Sequence, residues 1–389
     1  MPSLSFDNTE IAFRYRSNKD LKRAHFLFSS MGSPALTKIG IFFTKLAINW
    51  HLPIQGIIKN TIYKQFCGGE TIEETAIVAN KLAEYGVGIA LDYGVEGKES
   101  EADFDAAVPE FVKAINYAAT QQNIPFIPIK VTGFAKFELL EKLHRGDALA
   151  QEEQAAWDRV LKRIDTICGA AAQQGLMILI DAEESWIQHP VDDLSDAMMA
   201  KYNRDRVVVF NTFQMYRHDR LDFLKQSLEM AKAHNYLLGA KIVRGAYMEK
   251  ERKRAEELGY PSPIQPDKAS TDKDYNAAVA FCLDHLDHLA VFIGTHNEHS
   301  CFKAAEILQQ KGIASSHPRI FFSQLYGMSD NITFNLADAG YHVSKYLPYG
   351  PVKDVIPYLL RRAQENTSVA GQTGRELSLI KKEVKRRGI

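Results

Sequence analysis

Eight apolar runs rich in β-branched residues recur between about residue 86 and residue 347, and each closes on a polar or charged side chain. They occupy residues 87–92, 126–130, 176–181, 207–211, 240–244, 290–296, 320–324 and 341–346. Continuous hydrophobic stretches are what strands buried on both faces look like, and most of these are followed by a segment of helical periodicity. Eight such units predict an α/β fold, a (β/α)8 barrel of the TIM type. Its active site would lie at the carboxyl ends of the strands, so polar residues far apart in sequence would share one mouth. An open doubly wound sheet is the alternative architecture, but it usually carries a glycine-rich dinucleotide loop after its first strand. The sequence contains no G-x-G-x-x-G. The shortest interval leaves room only for a brief helix around 332–337.

A barrel takes ~250 residues, and the chain has 389. The remainder predicts an N-terminal helical arm over 1–84, the barrel over 85–375 and a basic, solvated tail over 376–389. With 47 basic against 48 acidic residues, the balance argues against a nucleic-acid partner. Cys67, Cys168, Cys282 and Cys301 form no C-x-x-C pair, which suits reduced thiols in a cytosol. Asp7 and the lack of an apolar core before a cleavage signal argue against a secretory peptide. A cytoplasmic protein is expected, with a peripheral place on the inner face of the membrane as the variant. Lys38, Lys45, His51 and Pro53 break the most hydrophobic window, 36–58, too often for a membrane span. Its greasy side, Ile41, Phe42, Phe43, Leu46 and Trp50, would pack on the barrel or lie on a membrane surface.

Helical stripes stand between the runs: Phe104, Val108, Phe111, Val112 and Ile115 form one, and Tyr275, Ala278, Val279, Cys282 and Leu286 another. Residues 137–172 read as two helices parted near Gly146. Two metal-like patterns are set aside. Cys282, His285 and His288 walk around a helix without a fourth ligand. His296 to His299 spans a strand end and a helix start, where Asn297 serves as an N-cap. No metal is expected, and neither a nucleophile elbow nor a P-loop is present.

The most unusual local chemistry is a predicted helix beyond Gly350 and Pro351 that carries Tyr358, Arg361, Arg362 and Glu365 on neighbouring turns. Two guanidinium forks at a barrel mouth would clamp a small carboxylic acid. An exposed, solvated arginine pair is the plainer reading of the same residues.

Several separated motifs resemble the proline dehydrogenase family. They are KIVRGAYMEKER at 241–252, YLPYGP at 346–351 and PYLLRRAQEN at 357–366, with DAEE at 181–184, THN at 295–297 and QLYGM at 324–328 in the family's order. The likeness covers roughly 85–371. It implies FAD-dependent oxidation of L-proline to Δ1-pyrroline-5-carboxylate, the first step of proline catabolism, by hydride transfer to flavin N5. Electrons would pass on to a membrane quinone. By the same resemblance Lys130, Arg361 and Arg362 hold the substrate carboxylate, while Tyr346, Tyr358, Ala246 and Leu325 shape the ring pocket. Asp181 would orient Lys130 or the arginines. The flavin would be lined by Gln214, Lys241, Val243, Arg244, Gly245, Ala246, Thr295 and His296, and also by Ala182, Thr271, Glu365 and Ser368.

Glycine at 245 makes sense where backbone approaches a flat cofactor. Lys241 stands where many bacterial members carry arginine, so the chain looks mitochondrial-like; as a plain strand residue it would instead snorkel outward. Tyr346 should crowd a 4-hydroxyl group and favour proline over hydroxyproline. The competing readings are a hydroxyproline dehydrogenase, a barrel lyase with Lys130 as a Schiff-base amine, and a proline-sensing DNA-binding protein. The last would need a separate basic domain.

Overall fold

The computed structural model describes residues 4–31, 55–94, 99–368 and 372–389. Most of the greasy window, including Ile41, Phe42, Phe43, Leu46 and Trp50, lies outside the described residues. The chain divides into two compact units, Met1–Glu96 with Gln324–Ile389, and Gly97–Ser323. These boundaries differ from the arm, barrel and tail expected above.

Eight strands form a closed barrel in sequence order. They are β1 (Val87–Tyr93), β2 (Phe126–Lys130), β3 (Met177–Asp181), β4 (Val209–Gln214), β5 (Leu238–Val243), β6 (Leu289–Gly294), β7 (Ile320–Leu325) and β8 (Val343–Tyr349). Parallel ladders join β1 to β8 and run without a break from β2 to β7. The strands depart most from the apolar runs at four places in the sheet. β4 starts two residues late and runs on to Gln214, β5 ends at Val243, β6 ends at Gly294, and β8 continues to Tyr349. Hydrophobicity marks where a strand is buried, whereas ladder hydrogen bonds continue under polar residues that face a cavity or a helix.

In the second unit the helices are α4 (Glu101–Ala119), α5 (Phe137–His144), α6 (Gln151–Gln174), α7 (Gln188–Tyr202), α8 (Arg220–Ala233), α9 (Met248–Leu258), α10 (Lys268–Asp284) and α11 (Glu298–Gln310). α5 and α6 are the two helices expected across 137–172. The turn between them passes through Gly146. The side chain of Asn297 caps α11 by accepting from the Ser300 amide, as its position predicts. α10 buries Tyr275, Ala278, Val279 and Cys282, the stripe read from the sequence.

The phase of each strand follows from one aromatic cluster. The Phe126 ring lies 6.4 Å from Phe210, 5.0 Å from Phe292 and 5.0 Å from Phe321, centroid to centroid. Rings from β2, β4, β6 and β7 can touch only across the interior of the curved sheet, so these residues mark its inner face. This apolar layer makes the interior a packed core rather than a pore.

The first unit holds α1 (Thr9–Phe13), α2 (Asn18–Met31), a short helical stretch over 55–66, α3 (Ile72–Ala83), β1, β8, α12 (Asp330–Asp338), α13 (Val352–Ser368) and α14 (Gln372–Arg387). α12 is the brief helix the short interval demanded. The basic end is not a solvated tail. It is helix α14, which buries Glu383 and packs Leu379 and Ile380 in a cluster with Phe13, Leu21 and Phe28. Lys381, Lys382, Lys385, Arg386 and Arg387 dominated the reading of that segment and masked an amphipathic pattern beneath them. Arg386 and Arg387 both donate to buried Glu383, and Arg387 also donates to the carbonyls of Phe13 and Arg16.

Candidate active site

Side chains alternate along a strand, and laterally paired residues in a parallel ladder share a face. From Phe126, Lys130 is therefore inward on β2, and its register partner Asp181 is inward on β3. Thr212 and Gln214 follow Phe210 inward on β4, and pair with Lys241 and Val243 on β5. Lys241 in turn pairs with Phe292. The expected residues Lys130, Asp181, Gln214, Lys241 and Val243 thus share the inner face of the second unit, close to the carboxyl ends of four strands.

Within that row the dominant interaction is an ion pair. Lys241 Nζ lies 2.5 Å from Asp181 Oδ1, with the two side chains 7% and 14% exposed. Their strands are separated by β4, so the two side chains reach each other across it over the interior. Lys241 also stands 5.9 Å from the centroid of the Phe292 ring. The outward, snorkelling alternative for Lys241 is excluded. The sequence reading had paired Asp181 with Lys130 or the arginines and had not drawn its link to Lys241.

The loop after β3 distributes its acidic side chains. Glu183 is buried, and the Thr132 hydroxyl sits 2.8 and 2.9 Å from its two oxygens. Burial pushes the Glu183 carboxyl up to about 7, against the pull of the Lys130 charge. Glu184 pairs with Lys250, and Ser185 donates through its amide and hydroxyl to Glu251. Gln214 Nε2 donates to the Glu183 carbonyl at 3.0 Å and approaches that of Ala182 at 3.5 Å. Sequence reasoning passed over Glu183 and Thr132. The only signal for them was their place, one inside the quoted DAEE motif and the other two residues beyond Lys130.

Arg244, the residue after β5, carries a fixed guanidinium. It donates to Asp272 at 2.8 Å, Thr295 at 2.8 Å and Ser300 at 2.9 Å, and stacks over Tyr275 at 4.1 Å. This gathers Arg244 and Thr295 of the expected flavin set, with half-buried His296 next in sequence. Gly245 and Ala246 follow, and both are exposed. Buried Thr271, on α10, bonds its hydroxyl to the Asp267 carbonyl.

The protein itself accounts for glycine at 245. Its φ is +126°, and an added Cβ would fall 2.5 Å from the Tyr216 ring. Gly245→Ala is expected to cost about 2 kcal/mol or more through backbone strain and that clash. Thermal unfolding of the variant, alone and with Tyr216→Ala, checks this. An unchanged midpoint would contradict it.

The remaining expected residues belong to the first unit. On β8, Lys345 faces Asp330 of α12 at 3.0 Å, so Tyr346 projects to the opposite face, beside Ala90 of β1. Leu325, half-buried, ends β7 in the same alternation as Phe321. Tyr358 is buried on α13 among Phe66, Val355 and Leu359, with the Arg362 guanidinium 5.2 Å from its ring. Arg361 is half-buried and Arg362 is 8% exposed. Glu365 and Ser368 fall within α13, but their side chains lie outside the described residues.

A family model described as proline dehydrogenase matches residues 76–375. The chain belongs to the proline dehydrogenase family. Membership makes it an enzyme. "Proline dehydrogenase 1, mitochondrial" of Dictyostelium discoideum is 34% identical over 389 residues, covering 89% of this chain and 68% of its own length. The carbapenem antibiotics biosynthesis protein CarD of Pectobacterium carotovorum subsp. carotovorum is 36% identical over 333 residues, 86% of each chain. Among solved structures, proline utilization A from Bdellovibrio bacteriovorus superposes with a TM-score of 0.74 at 19% identity over 94% of this chain. That likeness shows the barrel fold that the proline dehydrogenase family shares with it. The chain spans 39% of the length of that solved chain.

Proposed function

We propose that the protein oxidises L-proline to Δ1-pyrroline-5-carboxylate with FAD as resident cofactor and a membrane quinone as electron acceptor. The observation that carries this is the inner-face row Lys130, Asp181 and Lys241, with the Asp181–Lys241 ion pair at its centre. Charged side chains turned into a barrel are costly unless they serve a ligand or one another.

The residues present suit a flavin. Gln214, Lys241 and Val243 face inward on adjoining strands, and the small, exposed residues Gly245 and Ala246 leave room for a flat ring. Arg244, locked by Asp272, Thr295 and Ser300 at the start of α11, is a pre-oriented cation for a pyrophosphate. Lys241 would stand at the reactive edge, where an ammonium favours added negative charge. His296, Ala182, Thr271, Glu365 and Ser368 complete the assignment as outlying contacts. When bound, the flavin takes up the hydride at N5.

The chain's own groups do the rest. Arg361, Arg362 and Lys130 bind the proline carboxylate, and Tyr346, Tyr358, Leu325 and Ala246 wall the ring and keep water away. Their clamp holds the ring carbon beside nitrogen in a fixed orientation. Clustered positive charge also disfavours a protonated amine, so the substrate is helped to lose that proton before its lone pair forms the C=N bond. Asp181 anchors Lys241 throughout. Among the described residues no helix is long and apolar enough to cross a membrane.

The deciding experiment is the visible spectrum of the purified protein before and after anaerobic L-proline. A flavin band that bleaches on addition is expected. A colourless protein that cannot be reconstituted with FAD, or a band that proline leaves untouched, would remove the proposal.

A further inference from the structure

Lys345 is the most deeply buried cation among the described residues, with no exposed surface, and it lies on the outer face of β8 rather than in the proposed site. Its ammonium donates to the Met328 carbonyl, lies 3.5 Å from the Leu325 carbonyl and pairs with Asp330 at 3.0 Å. Asp330 is shared with the N-terminal segment: Tyr15 donates to it at 2.7 Å and Arg16 at 2.8 Å. Burial works against its charge, but Arg16 and Lys345 keep the Asp330 carboxyl below its ordinary range.

The same short turn is gripped elsewhere. Gln65 Nε2 donates to the Gly327 carbonyl at 2.7 Å, Glu376 of α14 accepts from the Ser329 amide at 3.0 Å, and the Tyr326 amide donates to the Tyr346 carbonyl at 2.9 Å. Gly327 has φ +81°, and a Cβ there would fall 2.1 Å from the Gln65 carbonyl oxygen, so the turn is pressed directly onto residue 65. Five consecutive residues, 325–329, therefore have a backbone polar group held by side chains or by β8. Desolvating a lysine is costly, and apolar packing would avoid that cost. What the charge adds is direction, since an ammonium aimed at two carbonyls fixes a turn in one place.

That turn carries Leu325 at its start and bonds to the backbone of Tyr346. We propose that Lys345 and Gln65 are positioning residues for the substrate: by pinning the 325–328 turn they set where Leu325 and Tyr346 stand around the proline ring, and hence which ring size the enzyme accepts. The proposal rests on the reading of Leu325 and Tyr346 as ring-wall residues. Neither Lys345 nor Gln65 touches substrate in it.

The test compares Lys345→Met, Gln65→Leu and Leu325→Ala in the flavin-loaded enzyme, with L-proline and its six-membered homologue L-pipecolate as substrates. Both positioning variants are expected to keep their flavin absorbance and to hold kcat within about threefold. KM for proline should rise roughly tenfold, and the kcat/KM preference for proline over pipecolate should fall at least about fivefold. Leu325→Ala should show the same relaxed preference. If Leu325→Ala relaxes it while neither positioning variant does, the inference is overturned and the function stands. If Leu325→Ala changes neither KM nor preference, the ring-wall reading fails and takes the inference with it. Should Lys345→Met not fold, Gln65→Leu decides alone, because it removes no buried charge.

Discussion

Asp181→Asn is expected to lower kcat/KM for L-proline by at least about 100-fold while the protein still folds and binds flavin. The pair it breaks is short, 2.5 Å, and nearly closed to solvent. Removing one partner of a buried ion pair typically costs ~3–5 kcal/mol, because the other charge is left uncompensated. If about 2.8 kcal/mol of that is lost where Lys241 meets the reacting centre, the rate falls by two powers of ten, at about 1.4 kcal/mol for each. Asparagine keeps the shape and leaves one hydrogen bond to hold the lysine, so the loss reads the charge and not a cavity. Steady-state kinetics with the flavin content determined on the same sample check this. Wild-type turnover at full flavin occupancy would show that the ion pair serves the fold alone.

Arg362→Ala is the second large effect, and it falls on a different parameter. The guanidinium is mostly buried beside Tyr358 and is assigned here to the substrate carboxylate. Truncating one partner of a buried, hydrogen-bonded charge pair costs about 2–5 kcal/mol, so KM for proline should rise by about 100-fold. Bound flavin and the flavin spectrum should not change. Arg362→Lys should recover only part of the loss, since an ammonium lacks the planar fork that grips both carboxylate oxygens. An unchanged KM in Arg362→Ala would dismiss the clamp and return the arginine pair to the plain reading of a helix-surface feature.

Both effects depend on how strands are placed side by side, and that was only partly legible beforehand. The eight runs marked the strands because burial on both faces demands continuous apolar residues. Their ends were less clear at β4 and β8, where polar Gln214 and aromatic Tyr349 continue the ladder. Lys130 and Asp181 could be read as strand-end residues, but only the family resemblance brought them together, because a lateral register is a relation between strands and no single run contains it. Lys241 was named through a motif, yet its direction was undecided until the Phe126 cluster fixed which parity of β5 faces inward.

Gly245 is a case in which a residue was noticed for one cause and the structure supplies another. Its permissive backbone was credited to a cofactor, whereas the Tyr216 ring, 29 positions earlier in the chain, already forbids a side chain there. At the C-terminal segment the structure overturns the reading outright. Five basic residues suggested a solvated end, but Leu379, Ile380 and Glu383 are buried against helices from the other end of the chain.

By itself, the order of amino acids determined the number and kind of structural units, the helix caps and the chemical groups at hand, because periodicity, capping and side-chain chemistry are local properties. The tertiary structure alone decided which charges face each other. Asp181 with Lys241, Thr132 with Glu183 and Lys345 with Asp330 are pairings of residues 15 to 60 positions apart. Their energies depend on separation and burial in space, and neither quantity exists until the sheet has curved and the chain has folded onto it.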